Sequence, residues 1–129
     1  MIRIAQIGCG YWGPNLIRNL RSVNGCHLAA VVEASEDRRT FVKSSFPGVP
    51  TDLSFEGIME NPEIDAIVIA TPANLHFEQA RQALLAGKHV LVEKPIASTA
   101  EEGHEIVAAA RKAGVTLMVG HVERFNPAV

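Results

Sequence analysis

Two cysteines, five histidines and a slight excess of acidic over basic residues set the first limits on this chain of 129 residues. Cys9 and Cys26 form neither a CxxC nor a zinc-ligand spacing, so free thiols in a reducing, cytoplasmic compartment are expected. No two histidines make an H-x-x-x-H pair, and no metal site is expected. Runs of Lys and Arg never exceed two residues, as at Arg38-Arg39, and the net charge is -2. A nucleic acid or an anionic membrane surface therefore has no electrostatic footprint here. Apolar runs such as "LAAVV" and "AIVIA" fall far short of the ~20 residues that span a bilayer. Glycine interrupts "MIRIAQIG" before a signal-peptide core could form. Internal repeats and low-complexity stretches are also missing.

The remaining composition, 47% hydrophobic and 20% charged, suits one compact domain with a real core. Short aliphatic runs alternate with helix-like segments: "IRIAQI", "HLAAVVE", "AIVIA", "HVLVEK" and "TLMVGHV". Being apolar almost throughout, they predict strands buried on both faces, as in a parallel sheet. Helix punctuation lies between them. Asn74 is expected to cap "LHFEQARQALLAG", where Phe77, Ala80 and Leu84 share a face and Gly87 ends the helix. Thr99 and Glu102 form a T-x-x-E capping box for a helix ending at Gly114. A Ser cap opens "SEDRRTFVKSSF", Pro47-Gly48 stops it, and "VPTDL" supplies a stub of the third strand. "FEGIMEN" predicts a short helix before "IDAIVIA". The alternation implies an α/β fold: an open, doubly wound, mostly parallel sheet with right-handed crossovers, in a single domain. Ligands of such sheets bind at the carboxyl ends of the strands.

"IAQIGCGYWGPNLIRN" places Gly8, Gly10 and Gly13 in the G-x-G-x-x-G spacing. The pattern is weak alone. Here a strand precedes it, a helix with Pro14 in its first turn follows it, and Glu33 lies twenty residues beyond Gly13. This is the fingerprint of a Rossmann dinucleotide site. Gly8 allows the tight turn, Gly10 lets a pyrophosphate approach, and Gly13 lets the helix lie close to the sheet. Tyr11 and Trp12, at the two variable positions, are expected to lean over the cofactor or pack on a neighbouring domain. Glu33 can accept from both adenosine ribose hydroxyls and repels a 2′-phosphate, so NAD is expected ahead of NADP. Arg38 and Arg39 either pair that phosphate or form a solvated helix face.

Further along, "IDAIVIATPANLHFEQARQALLAGKHVLVEKPIASTAEE" and "LMVGHVERFNPAV" complete a pattern over essentially the whole chain. With the glycine loop, "ATP…LH", "GKHVLVEKP" and "RFNP" in this order resemble the Gfo/Idh/MocA oxidoreductases, named for glucose–fructose oxidoreductase and inositol dehydrogenase. "GYWGPNLIRN" is most similar to the branch that contains nucleotide-sugar 3-dehydrogenases. The resemblance implies that residues 1–129 are an NAD(P)-binding domain. It also implies that the family's C-terminal substrate and oligomerisation domain, with its D-x-x-x-H motif, lies outside this sequence. A homo-oligomer is expected for the full-length form.

Carried over position by position, the resemblance puts Ala70, Thr71 and Pro72 against the cofactor, with Asn74 and His76 on the next turn. Asn74 is thus expected both to cap and to bind. His76 either touches ribose or nicotinamide or is simply a polar residue of a first helical turn. Glu93, Lys94 and Pro95 end a strand beside the nicotinamide, with a cis Lys94–Pro95 bond. Arg124 meets substrate or cofactor phosphate, or tethers two domains. The family's "GHN" is "GHV" here, at His121-Val122, which removes any asparagine contact. Lys94 is the implied catalytic residue, stabilising an alkoxide as hydride leaves carbon. The expected partners are a nicotinamide dinucleotide and a sugar or nucleotide-sugar alcohol. The competing expectation is a non-catalytic dinucleotide-binding or regulatory module.

Overall fold

The computed structural model describes residues 1–52, 54–121 and 126–128. Among these residues, six strands form one sheet: β1 (Ile2–Ile7), β2 (Cys26–Val32), β3 (Thr51–Asp52), β4 (Ala66–Ile69), β5 (His89–Glu93) and β6 (Leu117–Gly120). Five α-helices among the described residues alternate with them: α1 (Gly13–Ser22), α2 (Glu36–Ser45), α3 (Phe55–Glu60), α4 (His76–Leu85) and α5 (Ala100–Ala113). Spatial order is β3-β2-β1-β4-β5-β6, and every neighbouring pair is parallel. The chain thus starts in the middle, winds outward to β3, and returns beside β1 to wind the other way. That reversal opens a crevice at the carboxyl ends of β1 and β4, where the sheet offers a ligand site.

Side-chain alternation divides the sheet into two faces. One register row, Val32–Ile7–Ile69–Val92–Val119, packs under α3, α4 and α5, with Ala80, Leu84 and Ile106 at the centre of that core. The smaller core, with Ile17, Leu28, Val31 and Val42, lies under α1 and α2. A bulge at Ala29 lets Leu28 and Val31 reach that same core, because the β1–β2 register slips between Ile4 and Ala5. In α1 the fully buried residue is Ile17; Leu20 packs only at its margin. Burying a side chain of that size contributes about 1.5–3 kcal/mol.

Local chemistry explains the helix ends. Ser35 Oγ accepts from Arg38 N at 3.3 Å, and α2 stops before Pro47. Thr99 Oγ1 accepts from Glu102 N at 3.1 Å, while Glu102 Oε1 accepts from Ser98 N at 3.1 Å, so the capping box closes one residue further out than the simplest form. Gly114 ends α5 at φ 70° and Gly87 follows α4 at φ 79°. Asn74 departs from expectation. It lies inside a 3₁₀ turn, Ala73–Leu75, and α4 begins after Leu75 with no side-chain cap. Pro72 sets that tighter turn in motion, its carbonyl accepting from Leu75 N at 2.9 Å.

Candidate functional site

A cleft of about 650 Å³ opens at the carboxyl ends of β1, β4 and β5. Gly10, Tyr11 and Trp12 form one wall, Glu33 one end, and Ala70, Thr71 and Pro72 the opposite wall. Ala73, His76, Glu93 and Lys94 complete it. The three glycines meet different demands. Gly8 has φ +90°, and a Cβ there would stand 2.8 Å from Ala70 O, so any side chain is excluded by both strain and space. A Cβ on Gly13 would come 3.1 Å from Cys9 Sγ in the loop and 3.3 Å from Gln6 Nε2 of β1, which is the close approach of the helix to both. Gly10 has nothing within 4 Å, so its backbone faces open space that a ligand can enter. Tyr11, the chain's one tyrosine, is 97% exposed, and Trp12, its one tryptophan, is 44% exposed. Neither ring enters the sheet core.

Glu33, half-buried just past β2, is anchored to the backbone. Its Oε2 accepts from Cys9 N at 2.8 Å and its Oε1 from Ser35 N at 3.3 Å. Each carboxylate oxygen keeps a further lone pair. Arg38 and Arg39 are not a solvated face. Arg38 Nε donates to Cys9 O at 2.8 Å and Nη2 to Gly10 O at 3.2 Å, with the guanidinium 4.4 Å above the Phe41 ring. Arg39 Nη1 donates to Glu33 O and Ala34 O at 2.8 and 2.7 Å. Arg38 thus braces the glycine loop beside Gly10, a residue of the cleft wall, without lining the cleft itself. Burial pushes the Cys9 thiol up from its ordinary pKa, against the opposing influence of Arg38.

On the other side, His76 is 2% exposed, and both ring nitrogens face carbonyls: Nδ1 lies 2.7 Å from Pro95 O and Nε2 2.8 Å from Thr71 O. A neutral imidazole donates to one of these, an imidazolium to both. The ring ties the turn after β4 to the turn after β5. Thr71 Oγ1 pairs with Gln79 Oε1 at 2.6 Å. The Lys94–Pro95 bond is cis. Lys94 is exposed at the cleft edge, and the Glu93 carboxylate lies against Gly120, where a Cβ would stand 3.0 Å from Oε1.

Ten of the residues expected at the site thus converge on the cleft, and Gly8, Gly13 and Arg38 support its loop from beneath. Asn74 does not join them; the 3₁₀ turn leaves it exposed and outside the cleft lining. Arg124 and Val122 lie outside the described residues. Sequence reasoning missed Ala73 and Gln6. Gln6 Nε2 donates to Gly8 O and Gly13 O from within β1. A polar residue amid the apolar run "IRIAQI" was the available signal. Among the described residues no cluster of three or more His, Cys, Asp or Glu could hold a metal ion. No helix among them is long and apolar enough to cross a membrane.

A doubly wound parallel sheet with this loop and acid defines a dinucleotide-binding domain. Residues 2–121 match the model of the oxidoreductase family with an NAD-binding Rossmann fold, and the chain belongs to that family, Gfo/Idh/MocA. It is 37% identical over 128 residues to inositol 2-dehydrogenase 2 of Saccharopolyspora erythraea, covering 98% of this chain and 38% of that protein. Over 85 residues it is 40% identical to scyllo-inositol 2-dehydrogenase (NADP(+)) of Bacillus subtilis, covering 66% of this chain and 24% of that one. Among solved structures, biliverdin reductase from Synechocystis, in complex with biliverdin and NADP+, superposes with a TM-score of 0.90 at 33% identity. That match covers 96% of this chain and 39% of the reductase. The chain therefore spans about two-fifths or less of these relatives. The reductase was solved with NADP+, and the Bacillus subtilis relative is named for NADP(+).

Proposed function

We propose that the cleft binds NAD(H) or NADP(H), and that the chain is the dinucleotide half of a dehydrogenase acting on a secondary alcohol of a polyol, sugar or nucleotide sugar. The carrying observation is convergence: the glycine loop, Glu33 and Lys94 come from three separate parts of the sequence and line one cleft at the switch of strand order. The residues fit such a group. Gly10 leaves room for a diphosphate, and α1 directs the positive end of its dipole toward it. Glu33 Oε1 and Oε2, already fixed by backbone N–H groups, accept from the adenosine ribose hydroxyls. Arg38 retains donors for a 2′-phosphate, which is why neither dinucleotide is ranked first.

When bound, the nicotinamide ring supplies the hydride acceptor or donor. The chain's own part is to hold and polarise. Lys94, a cation at the cleft edge, donates to the substrate oxygen and stabilises negative charge developing there. His76 holds the turn that carries Pro95, and hence the corner on which Lys94 stands. Lys94 in the cleft favours an enzyme over a purely regulatory module. Substrate selection and oligomer contacts are assigned to the part that the relatives have beyond the matched stretch. Calorimetric titration with both dinucleotides tests the binding. Micromolar affinity for at least one is expected, and none for either would overturn the reading.

A further inference from the structure

We infer that Gln6 is a positioning residue of this site, whose buried amide fixes the end of β1 and the start of α1 so that the loop between them meets a diphosphate with N–H groups. The inference rests on the dinucleotide reading above. Gln6 is 0% exposed in the central strand, in register with Val31 of β2 and Val68 of β4. Continued outward, that row reads Leu91 and Met118 on one side and Thr51 of the edge strand β3 on the other, so the glutamine is its one polar member inside the sheet. An aliphatic side chain would fill the place with no polar group to desolvate.

The geometry supplies the reason for an amide. Nε2 donates to Gly8 O at 3.0 Å and to Gly13 O at 3.2 Å, one hydrogen for each carbonyl. Gly8 follows β1 directly, and Gly13 is the first residue of α1. One NH₂ group therefore clamps both ends of the glycine loop to the strand beneath it. The other end of the amide, Oε1, has no partner. Leaving such an oxygen buried and unpaired is unfavourable, so the two bonds made by Nε2 are retained against a local penalty. A Cβ on Gly13 would come 3.3 Å from Nε2, so glycine at 13 and glutamine at 6 suit each other.

The consequence is electrostatic. A carbonyl oxygen turned toward the cleft would repel a diphosphate, and Gln6 draws the Gly8 oxygen away from it. Among the described residues, the N–H groups of Gly10, Tyr11 and Trp12 donate to nothing within the chain. With α1 held over the strand end, these groups and the helix N-terminus converge on the same space.

The test compares Gln6→Met, similar in length and without donors, with Gln6→Glu, which regains one O–H donor when protonated. The chain is titrated with whichever of NAD+ and NADP+ the unsubstituted chain binds more tightly, across pH 5 to 8, and the ligand-free melting temperature is recorded. Gln6→Met is expected to bind on the order of tenfold more weakly at every pH, in line with the loss of one to two hydrogen bonds. Its ligand-free melting temperature should change little. Gln6→Glu should recover affinity as the pH falls, a profile that a packing role would not produce. Unchanged affinity in Gln6→Met, with normal binding by the unsubstituted chain, overturns the positioning role alone. So does an affinity loss that follows melting temperature in both variants and ignores pH. No binding by the unsubstituted chain would instead overturn the dinucleotide reading.

Discussion

On the β1–β2 side of the cleft, four long side chains hold backbone groups of the loop region: Gln6, Glu33, Arg38 and Arg39. On the β4–β5 side, a single ring, His76, joins the two strand-end turns. The first arrangement is distributed, so one lost bond leaves others in place. The second concentrates both links in one buried residue. The sides also differ in what they leave open. The first presents backbone N–H groups and a carboxylate, suited to binding, and the second presents an exposed cation, Lys94, suited to chemistry.

The largest effect should come from separating binding from chemistry. In the proposed dehydrogenase, Lys94→Ala should lower turnover on the order of 10²–10⁴-fold while dinucleotide affinity stays nearly constant. Steady-state kinetics beside calorimetry checks this; an equal collapse of both would erase the division between the sides.

Next in size is the concentrated link. His76→Ala removes the buried ring that both carbonyls face and should destabilise the chain by about 2–4 kcal/mol. Arg39→Ala removes bonds nearer the surface and should cost about 1 kcal/mol or less. Urea unfolding of both variants sharpens the comparison, and equal losses would break it.

Cofactor choice is a smaller effect and belongs to the β1–β2 side alone. Glu33→Ala should move the NADP-to-NAD affinity ratio upward, and Arg38→Ala should move it downward, each by roughly tenfold, as for one charge-assisted contact. Parallel titrations with both dinucleotides decide. Movement in the same direction would remove one residue from that role.

The smallest effect lies away from the cleft. Hydrogen bonds from Arg81 and Gln82 hold the Glu78 carboxylate at a pKa of about 2 on the surface of α4. A folded-state pKa below the ordinary value means the stabilisation is present above about pH 4.5 and is lost as the pH falls toward 2. Glu78→Gln should flatten that acid limb of the stability profile and change little at neutral pH, because exposed pairs are well screened.

Much of this molecule is legible along the chain. Strand and helix alternation, the Ser35 and Thr99 caps, the glycine stops and the spacing from Gly13 to Glu33 are local signals, each read within a few turns or a strand's length. The demand for glycine at position 8 was equally plain, although its cause, the Ala70 carbonyl 2.8 Å away, lies on another strand. Asn74 was misread because a capping residue type and a 3₁₀ turn carry the same local composition. What only the tertiary structure decided is which polar groups meet. Gln6 reaches Gly13 because α1 folds back over β1, and Arg38 reaches Cys9 across 29 positions because β1 and β2 pair in parallel. His76 reaches Pro95 because β4 and β5 end side by side. Periodicity and capping are properties of neighbouring residues and survive in one dimension. Hydrogen bonds between distant groups depend on register and strand order, which the collapse of the whole sheet sets.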